Sequence, residues 1–234
     1  NVRVDVPVVG DCRLAVEGIN EISRNKFSGQ DMASRHAQWI ETIGEWKREQ
    51  PLTYAKGDKY LKPQHVVRVL NEITGGNAII TTEVGQNQMW AAQFYDFDKP
   101  RTLITSGGLG TMGYGFPAAI GAQVAFPNKL VIDIAGDGSI QMNIQEMATA
   151  VQNKLPVKIV ILNNTYLGMV RQWQELFYKH NYSSTSMTEE ELAPTLKKAL
   201  ASPNTAIIDV VVEPEEDVYP MVPAGASLDE MLLV

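Results

Sequence analysis

Cysteine is almost missing from this sequence. Cys12 stands alone, so no internal disulfide can close, the fold must rest on packing, and a cytoplasmic address is the expectation. Basic charge is in short supply as well, with 20 Lys and Arg against 27 Asp and Glu. Without a cationic excess there is no counterion release to drive binding to nucleic acid or to an anionic membrane, and neither is expected as a partner. No apolar run approaches bilayer length, and the opening Asn1-Val2-Arg3-Val4-Asp5 lacks a charged leader followed by an apolar stretch, so a soluble protein is expected. Histidine is scarce: His36, His65 and His180 show no metal-ligand spacing and read as surface or capping residues. Repeats and low-complexity tracts are absent too. No methionine opens the chain, and residues 2–9 read as a strand beginning at once, which is how a piece of a longer polypeptide reads.

What is present suffices for a core, since 44% of the 234 residues are hydrophobic. Asp11 reads as the cap of a helix to residue 23, which with the strand at 2–9 makes one short βα unit; residues 25–30 are a polar break. Over 31–50, Met32, Ile40, Ile43 and Trp46 recur at helical spacing among charges, predicting an amphipathic surface helix that stops before Pro51. Residues 51–62, without periodicity, read as a linker. From there strands are expected at 78–82, 101–104, 130–135, 157–162 and 206–212, and helices at 64–73, 112–126, 144–153, 167–178 and 189–201. Alternating apolar strands and helices imply an α/β domain, a doubly wound parallel sheet with helices on both faces. Three parts follow: 1–60, the end of a preceding domain with a linker; 61–212, the main domain; and 213–234, a Pro-rich C-terminal arm with too little pattern for a core element.

Ligands of an open parallel sheet bind outside the carboxyl ends of its strands. Two such ends carry polar residues: one strand runs into Gly136-Asp137-Gly138-Ser139, another into Asn163-Asn164, and 24 residues (139–162) with one helix lie between. If the strands are neighbours, the Asp137 carboxylate and the Asn164 amide oxygen project into one crevice. Both are hard oxygen ligands, and with a backbone carbonyl they leave room in a magnesium octahedron for a diphosphate. Gly136 and Gly138 allow the backbone to come close. A rival motif is Gly108-Leu109-Gly110-Thr111-Met112-Gly113, which fits the G-x-G-x-x-G dinucleotide fingerprint with Asp133 about twenty residues on. Asp133, however, falls inside a strand rather than at its exposed end, so the nicotinamide reading is weak. Glu146 reads as favouring its helix start through the dipole.

Gly-Asp-Gly followed at this distance by Asn-Asn resembles the thiamine diphosphate enzymes. With 83–90, 107–115 and 168–174, it resembles the C-terminal part of the acetolactate synthase catalytic subunit over nearly the whole chain. The resemblance implies a magnesium ion held by Asp137, Asn164 and the main-chain oxygen of Tyr166. It implies cofactor contacts from Gln86, Asn87, Gly110, Thr111, Met112, Gly136, Asp137, Gly138, Ser139, Asn164, Tyr166, Leu167, Gly168 and Met169. Asn87 is commonly histidine in the family, and asparagine is expected to donate to phosphate in its place. Met112 corresponds to the residue supporting the bent cofactor and counts, with Trp173, as catalytic. Met169, Val170 and Trp173 line the substrate channel, Trp173 being associated with preference for the larger second keto acid and with herbicide binding, and residues 220–231 with an arm over the site.

The implied reaction condenses pyruvate with a second 2-keto acid, with loss of carbon dioxide, in branched-chain amino-acid biosynthesis. Another thiamine diphosphate decarboxylase or carboligase, or an inactive cofactor-binding fragment, is the alternative. FAD, a shared site in a homodimer or larger assembly, and a small regulatory subunit are implied by family alone. Three pieces the family has are expected to be missing here: the domain supplying the activating glutamate, most of the flavin-binding middle domain, whose end alone is recognisable in residues 1–50, and a helix and strand between 183–188 and Glu189.

Overall fold

The computed structural model describes residues 3–55, 59–179, 192–223 and 225–233. It divides into two compact units, Asn1–Thr53 with Pro220–Val234, and Tyr54–Tyr219.

In the smaller unit, helix α1 (Cys12–Phe27) starts where the Asp11 carboxylate accepts the Leu14 N–H at 3.0 Å. It runs through the expected break at 25 and stops only at Ser28-Gly29, the glycine having φ 75°. Helix α2 (Met32–Glu49) is capped in the same way by Asp31, and its Trp39 and Trp46 rings meet edge-on at 5.4 Å. The strand expected at 2–9 does not form over the described residues 3–9, where Val4, Val6, Val8 and Val9 are 64–98% exposed. A β-branched segment becomes a strand only against a neighbour that takes its backbone hydrogen bonds, and Pro7 removes one donor. Later in this unit Met221 and Leu232 form an isolated antiparallel bridge, and Ser227 and Glu230 close a capping box on a short 3-10 turn.

The larger unit holds five parallel strands in the order β2-β1-β3-β4-β5: β1 (Ile79–Thr82), β2 (Leu103–Thr105), β3 (Val131–Gly136), β4 (Lys158–Asn163) and β5 (Ala206–Val211). The strands alternate faces as their two-residue period demands. Ile80, Ile132, Ile134, Val160 and Leu162 pack with α3 (Pro63–Thr74), α4 (Gln86–Phe94) and α9 (Leu192–Leu200). Ile79, Val131, Ala135 and Ile159 pack with α5 (Gly115–Ala125), α6 (Asp137–Ile140) and α7 (Met147–Gln152). The doubly wound parallel sheet read from the sequence is therefore the fold, with helices on both faces. Helix α8 (Gly168–Phe177) follows β4.

Several boundaries differ from expectation. Helix α4 had no counterpart in the sequence reading, because QNQMWAAQF has almost no amphipathic period: Gln86 and Asn87 are buried together with Trp90, Ala91 and Phe94. Residues 144–153 were expected as one helix; instead α6 begins at Asp137 itself, a 3-10 stretch (Gln141–Glu146) bends at Asn143, and α7 follows. Glu146 precedes α7 without capping its N–H groups; its carboxylate accepts the Thr149 hydroxyl at 2.8 Å. Residues 213–219, expected as tail, belong to the larger unit: Glu213 N–H donates to Leu61 O at 2.8 Å and Val218 is fully buried. His180, and the junction expected near 183–189, lie outside the described residues.

Candidate cofactor and metal site

The chain leaves β1 towards β2 on one side and leaves β3 towards β4 and β5 on the other, so the switch point lies between β1 and β3. Beyond the carboxyl ends of the strands opens a pocket of about 240 Å³. The segment after β1 contributes Val84 to Trp90, the segment after β3 contributes Gly138 and Ser139, and the segment after β4 contributes Asn164 and Tyr166 to Val170. Gly136 closes the end of β3, and Gly110 and Met112 approach from the loop after β2. Twelve of the residues singled out for cofactor contact thus meet on one cavity. Thr111 does not, because its N–H is turned to Ser106 Oγ at 3.0 Å in an exposed turn. Trp173 lines an adjoining shallow basin with Gln174 and Tyr178, and Met169 and Val170 belong to both cavities.

Under this pocket lies Asp137, at the first position of α6. Its Oδ1 is buried with no hydrogen-bond partner. Burial pushes the carboxyl up to about 6, with backbone N–H groups of Asp137, Gly138 and Asn164 drawing it partly back and Asp209 opposing them. That backbone contact brings Asn164 beside Asp137, as the pairing of Gly136 with Leu162 in the β3–β4 register requires. The Asn164 Oδ1 takes the Tyr166 N–H at 3.2 Å while its Nδ2 donates to Gln86 Oε1 at 3.1 Å. Among the described residues no three His, Cys, Asp or Glu side chains cluster, so a cation here relies on one carboxylate with amide and carbonyl oxygens. That donor set suits magnesium, and an orphaned buried carboxylate oxygen is a group in want of a cation.

The anion side is equally built. The first turns of α4 and α8 face the pocket, and N–H groups there have no partner within their helix. A Cβ on Gly138 would stand 2.5 Å from Leu167 Cδ2, and one on Gly168 2.0 Å from Gln86 Oε1. At Gly168 the atoms met belong to the tethered amides of Gln86 and Asn164, whereas at Gly138 the exposed Leu167 tip can turn aside.

Asn87 takes a different part from the one expected. Its Nδ2 donates to the carbonyls of Glu83 at 3.1 Å and Ile134 at 2.9 Å. Both amide hydrogens are engaged by main chain, so the side chain fastens α4 to the ends of β1 and β3 and offers a phosphate no donor.

The residue that sequence reading missed is Glu83, wholly buried at the end of β1. Its Oε2 accepts the Gly113 N–H and the Ser139 hydroxyl, each at 2.7 Å, and its Oε1 accepts the Phe116 N–H at 3.0 Å. Met112, expected to open a helix, instead sits in the loop before α5, left-handed at Gly110 and Gly113 and held by Glu83. The available signal was an acid directly after an apolar strand and before a glycine.

Behind Glu83, Asp133 is fully buried, accepts the Thr81 hydroxyl at 2.9 Å, and leaves Oδ2 unpartnered. Burial, then the charge of Glu83, raises its carboxyl well above the ordinary 3.8. The folded state thus binds a proton that the unfolded chain releases near pH 4, and Asp133 diminishes stability as pH rises from there towards its folded value. Asp133→Asn removes that slope: urea unfolding from pH 4 to 8 should show the variant gaining on the parent with rising pH. A parallel pair of curves counts against a buried neutral Asp133.

A lone carboxylate, an amide and glycine turns at the ends of adjacent parallel strands lie within residues 83–190, which match the family described as thiamine pyrophosphate enzyme, C-terminal TPP binding domain. Over nearly its whole length the chain is similar to acetolactate synthases: 40% identical over 97% of the chain to the chloroplastic enzyme of Arabidopsis thaliana, 40% over 99% to chloroplastic acetolactate synthase 1 of Nicotiana tabacum, and 41% over 99% to the isozyme 3 large subunit of Escherichia coli K12. It spans 38%, 39% and 44% of those three proteins, about two fifths of their length. The alignments run to 255–260 residues against 234 here, so the relatives carry residues with no counterpart in this chain.

Proposed function

We propose that this chain is the diphosphate- and metal-gripping part of an acetolactate synthase catalytic subunit, condensing pyruvate with a second 2-keto acid to give 2-acetolactate or 2-aceto-2-hydroxybutyrate. The observation that carries the reading is the buried, partnerless Asp137 Oδ1 beside Asn164 at the ends of paired strands. In this reading Asp137, Asn164 and the Tyr166 carbonyl hold magnesium, and the first turns of α4 and α8, with Gly138 and Ser139, receive the diphosphate. Bound there, thiamine diphosphate supplies a thiazolium ring that takes up the electron pair released when a 2-keto acid loses carbon dioxide. Met112, on the loop fixed by Glu83, gives the ring system a polarisable support. Met169, Val170 and Trp173 form the apolar wall from pocket to basin and set the size of the second keto acid.

The activating glutamate comes from elsewhere in the whole protein, which makes a dimer with a shared site the proposed assembly. FAD and a small regulatory subunit are proposed for the whole protein alone, and the name of the E. coli relative, a large subunit, supports the latter. No helix among the described residues is long and apolar enough to cross a membrane. A cytoplasmic address is proposed; two of the plant relatives above are called chloroplastic, which makes an organelle the alternative.

The test is product analysis on the natural full-length protein supplied with thiamine diphosphate, magnesium and FAD. Pyruvate should give acetolactate and carbon dioxide, and added 2-ketobutyrate should divert product to acetohydroxybutyrate; acetaldehyde as sole product refutes carboligation. Trp173→Leu should shift the ratio of the two acids by about tenfold, the scale of one pocket contact. A lower rate at unchanged ratio would assign Trp173 to packing on Phe177, whose ring lies 5.0 Å away.

A further inference from the structure

Three carboxamides stand in a row that ends at Asn164, a proposed metal ligand, and main chain dictates which way each one points. The row begins at Val218, whose N–H donates to Gln172 Oε1 at 3.1 Å and whose carbonyl accepts Gln172 Nε2 at 3.0 Å. A peptide N–H can only donate and its carbonyl only accept, so the two bonds fix the Gln172 amide in one orientation. The fixed Oε1 then accepts Gln86 Nε2 at 3.0 Å, and the Glu216 carbonyl accepts the same nitrogen at 2.9 Å. Two acceptors on that side force the Gln86 oxygen to the other, where it takes Asn164 Nδ2 at 3.1 Å. Asn164 is thereby turned with Oδ1 away from Gln86, towards the Tyr166 N–H. Gln172 is fully buried and Gln86 nearly so, so water does not compete for these bonds.

We propose that Gln172 is a positioning residue for magnesium, transmitting the polarity of the Val218 peptide through Gln86 so that Asn164 presents its oxygen, not its nitrogen, to the cation. The proposal rests on the site reading above. Reversal of the row would aim an N–H₂ at magnesium; loss of its first member leaves Gln86 held by the Glu216 carbonyl alone and so weakens the bias against that state. A partner one step behind a ligand, as Gln86 is to Asn164, commonly alters metal affinity by 10- to 100-fold when removed, and Gln172 acts through it towards the lower end of that range.

The experiment is a magnesium titration of the natural full-length protein at saturating thiamine diphosphate. Cofactor binding is followed by calorimetry, below the melting range, with near-ultraviolet dichroism confirming the folded state. Gln172→Met keeps the volume and removes the polarity, and should raise the half-saturating magnesium concentration about tenfold or more. Gln172→Glu keeps an acceptor for Val218 N–H and Gln86 Nε2 and should recover most of the affinity. A merely structural role for Gln172 predicts lower melting temperatures with unchanged magnesium affinity in folded protein, and that result overturns the proposal. Asp137→Ala is run alongside: if it leaves magnesium dependence intact, the site reading itself falls, whereas loss in Asp137→Ala with none in Gln172→Met removes only the relay.

Discussion

Asp137→Ala should abolish magnesium-dependent binding of thiamine diphosphate while leaving the metal-free protein as stable as before, or slightly more so. The two halves of that expectation share one cause. The carboxylate is buried with one oxygen unpartnered, and burial holds its carboxyl near 6. A group of this kind contributes nothing to the metal-free fold and opposes it as long as it stays charged. In the proposed site it is the only anionic ligand that the described residues supply to magnesium. A loss of at least about 100-fold in affinity, roughly 2.7 kcal/mol, is expected from removing it. Calorimetry with magnesium and again with chelator measures the first half, and urea unfolding of the metal-free protein the second. Unchanged affinity sinks the assignment; a large loss of stability would mean that Asp137 is a structural cap of α6.

Gly115→Ala should lower stability by about 3 kcal/mol or more, the upper range for overpacking. A Cβ there would stand 2.4 Å from Asp133 Oδ1, 2.4 Å from Glu83 N and 2.5 Å from Thr82 C. Two of these atoms are main chain at the end of β1, pinned by pairing to β3, and α5 cannot retreat without breaking the Phe116 N–H bond to Glu83. Gly121 in the same helix has nothing within 4 Å of its would-be Cβ. Gly121→Ala should therefore stabilise, by about 0.5–1 kcal/mol. Urea midpoints of the two variants should move in opposite directions. A shift of the same sign and size in both shows that the start of α5 can slide, and with it the loop that carries Met112.

The sheet was legible because its strands are apolar runs, such as Val131-Ile132-Asp133-Ile134-Ala135, whose period and length leave little choice. The neighbourhood of Asp137 and Asn164 was legible because residue type, strand context and intervening length agreed there, and the paired strands do bring the two together. What was not legible depended on partners distant in sequence. Helix α4 hides because its buried face includes Gln86 and Asn87, whose polar atoms are satisfied by residues 47–130 positions away. Residues 213–219 read as tail because their anchors are the side chains of Gln172, Arg171 and Lys62 rather than a hydrophobic period. The strand expected at 2–9 does not form over 3–9 for the converse reason: its local preference was right, and among the described residues no neighbour pairs with it.

The β3–β4 pairing has a further consequence. Asp137 and Asn164 each project from just beyond a ladder in which Gly136 faces Leu162, and a slip by one residue would turn every side chain of the slipped strand to the opposite face. A cation held by both, as proposed, would read the sheet like a vernier whose two marks coincide at one setting only. On that reading, newly made chains able to capture magnesium and thiamine diphosphate are those whose central strands are aligned, and the ligand would draw the population towards that register.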